Sequence, residues 1–183
     1  VWFVVGIPVY FYAVLSDGSE AGNRAAFFTI GTFMAVWTIL YGAVQAWAPK
    51  GLRAATRPEG ELVAAARGWV LSLTVIPLAL SALIWWQGEP VWWLTGTIIA
   101  GLLVFGALFA INSSLHSYLI LAFSKGERVT MDVGFYYMAN AAGRLLGTLL
   151  SGLSYQLGGL ALCLMTAAVM LGLSSLAAAK LRA

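Results

Sequence analysis

An arginine stands near the centre of FYYMANAAGRLLGTLLSG, the run from Phe135 to Gly152, and no other charge lies in that run. A guanidinium at the middle of a membrane-spanning helix costs about 3 kcal/mol or more to insert. Arg144 lies twelve residues beyond Asp132, which in a helix is about 18 Å from that end, too deep for the side chain to snorkel to either surface. All seven acidic residues fall in connecting segments or at the ends of apolar runs. The partner of Arg144 is therefore a set of backbone carbonyls, an acid outside this stretch of chain, or an anionic ligand. A planar guanidinium presents a donor fork that fits carboxylate, phosphate or arsenate oxygens. Tyr137, Asn140, Arg144, Thr148, Ser151 and Tyr155 follow steps of three and four and so share one helical face. A polar stripe of that length is expected to face a protein interior or a water-filled path rather than lipid.

A second polar group occurs in INSSLHSY, residues 111–118. Asn112 and His116 are four apart, as are Ser113 and Ser117, with Phe105 and Phe109 continuing the Asn112 side. His116 can accept a proton, hydrogen-bond a ligand oxyanion, or satisfy a neighbouring helix. With no second His, Cys or acid at ligand spacing, a metal site is not expected. There is no phosphate loop, no pair of intramembrane carboxylates, and no nucleophile with a base beside it. Catalysis and cofactors are accordingly not expected. The candidate binding residues are Arg144, Asn140, Tyr137, Asn112, His116 and Thr148.

These residues need a scaffold, and composition says which kind. Of 183 residues, 61% are hydrophobic and 9% charged, with a mean hydropathy of +0.89; soluble domains carry about a quarter charged residues. The chain is expected to be an all-α membrane protein. The net charge of +3 does not point to nucleic acid, because the basic residues sit in gaps between apolar runs. Six such runs are read: 1–15, 24–48, 69–87, 91–124, 132–156 and 159–180, each taken as one transmembrane helix since lipid forbids unpaired backbone. The first is short for a span of about 30 Å and is read as truncated, within a longer protein. Lys50, Arg53, Arg57, Arg67, Lys125, Arg128, Lys180 and Arg182 fall on one side and Arg24 on the other. That asymmetry places the C-terminus in the cytoplasm. Residues 49–68 are read as the one long loop, with Gly60–Arg67 as a possible short surface helix. Pro8 and Pro77 are expected to kink their helices, and Pro90 to sit in a first helical turn. Gly143, Gly147 and Ser151 form a small-residue ridge suited to close helix packing. Trp85, Trp86, Trp92 and Trp93 read as an interfacial aromatic belt, and Cys163 lies in an apolar run with no partner cysteine.

Six helices with cytoplasmic ends and a central cation suit one half of a major facilitator transporter, in which each half is a 3+3 inverted repeat. The stretch FGALFAINSSLHSYLILAF, followed by TMDVGFYYMANAAGRLLGTLLSGLSYQ, is similar to the C-terminal half of the organoarsenical-efflux (ArsJ-type) branch of that superfamily. The similarity runs from VWFVVGIPVY onward and is densest over 105–156. The acidic-then-basic signature of the superfamily's intracellular loops is missing from residues 50–60. The resemblance implies an inner-membrane exporter of 1-arseno-3-phosphoglycerate, an anion made from arsenate by glyceraldehyde-3-phosphate dehydrogenase. It also implies an N-terminal six-helix half as partner. Exporters of other organic anions, drugs or metabolites share the pattern. A small membrane scaffold or membrane enzyme is the reading of a different class.

Overall fold

The computed structural model describes residues 2–52, 56–89, 91–124 and 129–179. Pro90, Arg53, Lys125, Arg128, Lys180 and Arg182, which figure in the expectations above, lie outside them. The described residues form five helices and contain no strand: α1 (Trp2–Leu15), α2 (Glu20–Gly51), α3 (Glu59–Gln87), α4 (Trp92–Phe123) and α5 (Val129–Ala178). All but α1 are long and apolar enough to cross a membrane. The chain is thus built as a multi-pass helical membrane protein.

One expected boundary is corrected. Residues 49–68 are not a long loop. Pro49 and Lys50 close the last turns of α2, and α3 begins at Glu59, so the segment read as a separate surface helix is the start of α3. Packing is the reason: Leu62, Val63 and Ala66 are buried against Leu115 and Leu119 of α4. Helical structure extends from Val129 to Ala178 and is interrupted by non-helical backbone at Gly158 (φ −156°, ψ 27°) and Gly159 (φ 62°, ψ −156°), at the division expected between the runs 132–156 and 159–180. These two residues break α5 into a first and a second arm. Gly159, at φ 62° and ψ −156°, lies in a positive-φ extended region that is essentially reserved for glycine and costs another residue about 1–3 kcal/mol. Gly159→Ala is expected to lower stability by that amount, read as a fall in the melting temperature of the detergent-solubilised protein. α1 runs on through Pro8, and α3 through the buried Pro77.

The core has two parts. On the side of the 16–19 and 88–91 turns, Ile7 and Phe11 of α1, Ile30 of α2, Leu80 of α3, Leu94, Ile98 and Leu102 of α4, and Leu160 and Leu164 of α5 form one cluster. The smaller α3–α4 cluster lies on the opposite side, called here the basic side because the 52–58 connection is there. α3 lies along the second arm of α5: Ser81 Oγ donates to the Ala161 carbonyl at 2.7 Å, and Arg67 Nε donates to the Ala178 carbonyl at 3.0 Å. The second bond places a cation on the C-terminal carbonyls of α5, where the helix dipole favours one. α1 closes on both arms, since a Cβ at Gly6 would sit 2.8 Å from Cys163 Sγ and 3.6 Å from the Tyr155 ring.

The turn before α2 is tied by side chains. Ser19, the N-cap, accepts from the Gly22 amide at 2.9 Å and donates its hydroxyl to Asp17 at 2.7 Å. The Ser19 hydroxyl and amide, as donors, hold the exposed Asp17 carboxyl below its ordinary value. A depressed carboxylate contributes stability that is fully present above the unfolded-state value and is lost as pH falls through the folded one. Acidification is therefore expected to loosen the first turn of α2 first, detected as faster hydrogen exchange at the Gly22 amide with the core amides unchanged.

Candidate functional site

The polar stripe is carried by the first arm of α5. Its two ends differ. Ser151 is buried, with its Oγ 3.4 Å from Cys163 Sγ, and Tyr155 is half-buried against α1. Toward the basic side the arm separates from the bundle: every residue from Tyr137 to Leu146 is exposed. Ten successive residues make nearly three turns, so the polar face and the apolar face are both uncovered. Tyr137, Asn140, Arg144 and Thr148 are all exposed. From Tyr137 to Thr148 the stripe is therefore left uncovered by the described residues of this chain, while its Ser151 and Tyr155 end is packed. The reason lies in the packing of the arms: the second arm lies along α3, while the first touches α1 near its Tyr155 end and makes little contact with α4.

Among the described residues, no ion pair or hydrogen bond joins the Arg144 side chain to any other group; the single ion pair is Arg24 with Glu20, four apart on the surface of α2. Thr148 Oγ1 donates to the Arg144 carbonyl at 2.8 Å. That bond satisfies the threonine within its own helix and leaves its oxygen able to accept. The acids nearest in the fold stay at helix ends, with Asp132 in the first turn of α5. The arm thus presents a fork of five donors at mid-span depth, flanked by Asn140 and Tyr137, with no anion supplied by the described residues.

Asn112 and His116 lie on α4, whose contacts with α5 are few. Asn112 is buried, with no hydrogen-bond partner for its Oδ1 among the described residues. His116 Nδ1 lies 2.9 Å from the Asn112 carbonyl. Beside them, α2 and α4 are joined by groups that the sequence reading leaves unpaired. Gln45 Nε2 approaches Ser113 Oγ at 3.5 Å, and Trp37 Nε1 donates to the Leu102 carbonyl at 3.0 Å. A ladder of rings runs from Trp37 through Tyr41 and Phe109 to Phe105, with centroids 5.5–5.9 Å apart. The steps of four from Trp37 to Tyr41 to Gln45 were the available signal.

Among the described residues no three His, Cys, Asp or Glu side chains converge, so no metal centre is built from them. An open crevice of about 380 Å³ between α1 and α2 is apolar and stands apart from the stripe; Pro8, Tyr12, Phe27 and Met34 are among its lining residues. Trp86 and Trp92, 89% and 88% exposed, flank the 88–91 turn, as an interfacial belt requires. No family model, curated protein or solved structure matches this chain.

Proposed function

We propose that this chain is the six-crossing half of an alternating-access exporter of an organic anion. The reading places it in the organoarsenical-efflux branch of the major facilitator superfamily, with 1-arseno-3-phosphoglycerate as cargo. The observation that carries it is Arg144. A guanidinium at mid-span depth on a helix bare on every side is too costly to leave against hydrocarbon. In the complete protein the arm faces either other helices or a wet path, and a passing anion supplies the missing charge. The break at Gly158 and Gly159 supports counting α5 as two crossings, which returns both ends of the bundle to the basic side. By the basic-residue asymmetry that side is cytoplasmic, in an inner membrane. Asn140 and Tyr137 add neutral donors to the fork, and Thr148 adds a hydroxyl oxygen. No catalytic step is assigned to the chain.

The test is cellular arsenic in arsenate-challenged cells carrying the full-length gene, with and without co-expressed glyceraldehyde-3-phosphate dehydrogenase. Lower arsenic when both proteins are present, and not with either alone, is the expected result. Unchanged arsenic with the protein abundant in the membrane overturns the arsenical cargo and leaves the reading of a different organic anion.

A further inference from the structure

The crevice between α1 and α2 plays no part in the export reading, and its walls describe an occupant. Pro8, Val9 and Tyr12 of α1 and Phe27, Gly31 and Met34 of α2 wall it, and the buried Ile30 lines its inner side. It holds about 380 Å³ and is apolar throughout. Gly31 keeps it open, since a Cβ there meets nothing within 4 Å. Tyr12 lies three residues from the end of α1, and Phe27 seven from the start of α2, so the mouth is at the 16–19 turn. From Arg24, three residues before Phe27, to Met34 a helix rises about 15 Å. That is half of the roughly 30 Å hydrocarbon thickness, the depth reached by an acyl chain of one leaflet. A helix is about 10–12 Å across, and three turns of one need roughly 1,000 Å³ or more. The crevice fits a single chain rather than a helix.

Charge decides what belongs at the mouth. Glu20, Arg24, Phe27, Gly31 and Met34 are spaced by four, three, four and three and share one side of α2. Glu20 and Arg24 are 93% and 70% exposed and lie 3.4 Å apart. So exposed a pair contributes little by itself, and each group keeps capacity for a further partner: unused N–H donors on the guanidinium, lone pairs on the carboxylate. Asp17, the other acid of this turn, is taken up by the amide and hydroxyl of Ser19. Arg24 stands one helical turn nearer the crevice than Glu20. In a phospholipid the phosphate is next to the glycerol, and the alcohol it carries lies further out. An inner cation and an outer anion therefore match a headgroup that ends in an ammonium. We infer that the crevice binds one phospholipid with a primary-amine headgroup, of the phosphatidylethanolamine type. One acyl chain lies between α1 and α2, the phosphate accepts from Arg24, and the ammonium donates to Glu20. A trimethylated headgroup has no N–H to donate, and a glycerol headgroup has no positive charge, so both bind less well. The site is separate from the Arg144 stripe and does not rest on the transport reading.

Native mass spectrometry of the full-length protein tests the site. The detergent-solubilised protein is mixed with equal amounts of phosphatidylethanolamine, phosphatidylcholine and phosphatidylglycerol of matched acyl chains, and the retained lipids are told apart by mass. Wild type is expected to keep phosphatidylethanolamine about threefold over each of the others, the scale of an exposed charge contact. Glu20→Gln, at an exposed position, is expected to abolish that preference. Gly31→Leu fills the crevice and is expected to lower phosphatidylethanolamine retention about threefold through the acyl contacts it displaces. Its melting temperature in lipid-free detergent is expected to be unchanged or higher, because leucine is the better helix former. Equal retention of the three lipids by wild type, a preference that survives Glu20→Gln, or undiminished retention in Gly31→Leu each overturns the site. A Gly31→Leu protein that melts earlier in lipid-free detergent shows that protein fills the crevice, and overturns the lipid as its occupant. Arsenic export enters none of these readouts, so their failure leaves the export reading standing, and the converse holds.

Discussion

Under the proposed export reading, replacing Arg144 with glutamine is expected to abolish arsenical export while the protein remains in the membrane at wild-type abundance. Glutamine fills much of the same volume and keeps donors, so the change isolates charge. Removing one partner of a desolvated charge pair costs ~2–5 kcal/mol, equivalent to about 30-fold or more in the affinity of the passing anion. Arg144→Lys is expected to fall between the two, because an ammonium keeps the charge but loses the planar fork that grips two oxygens at once. The measurement is arsenic retained by challenged cells that co-express the dehydrogenase, normalised to the protein in the membrane fraction. Export unchanged in Arg144→Gln overturns the role given to the guanidinium. Loss of the protein from the membrane instead shows that Arg144 is paired with an acid for folding, and the substrate assignment then fails as well.

The second large effect is on stability and falls where α2 crosses α4. A Cβ at Gly106 would stand 2.7 Å from Trp37 Nε1 and 2.8 Å from two ring carbons. The indole has little freedom to move aside. Its N–H is bonded to the Leu102 carbonyl, and its ring is stacked on Tyr41 at 13° between planes. Gly106→Leu is expected to destabilise the bundle by about 3 kcal/mol through overpacking, read as a lower melting temperature in detergent. Gly42→Ala and Gly96→Ala serve as controls. A Cβ at either meets nothing within 4 Å, and each replaces glycine inside a helix, so they are expected to be neutral or slightly stabilising. Trp37→Phe is expected to cost ~1 kcal/mol, because the ring is kept and one interhelical hydrogen bond is lost.

The sequence and the structure agree most closely where hydrophobicity alone decides. α1 ends at Leu15 and α3 at Gln87, and α4 runs from Trp92 to Phe123, each within a residue of the reading, because polar or glycine-bearing turns interrupt long apolar runs there. The start of α3 was missed for an identifiable reason. Glu59, Glu61 and Arg67 make residues 59–67 look like a loop, yet Leu62, Ala66, Val70, Leu73 and Leu80 keep steps of four, four, three and seven, and all are buried. Period was the better guide than polarity. The alignment of the polar stripe along one face followed from spacing, but its surroundings did not. Spacing fixes which residues share a face and says nothing about what covers that face. Asn112 and His116 are read from the sequence as a cluster on a different helix from Arg144, and they lie on α4 while Arg144 lies on α5. How much of the stripe is covered depends on how the two arms of α5 divide their contacts, a tertiary choice that a local pattern does not encode.

The turns opposite the basic side are very short. Four residues join α1 to α2, 16–19; four join α3 to α4, 88–91; and the arms of α5 reverse through Gly158 and Gly159. A protease or antibody arriving from that side finds almost no chain to grip, and the reversal has no slack into which an epitope could be spliced. The exposed residues Thr56, Arg57 and Pro58 before α3 are the place for a tag or a cleavage site. A probe engineered there reports on the cytoplasmic face alone if the basic-residue asymmetry sets the orientation, so one insertion both labels the protein and tests which way round it sits.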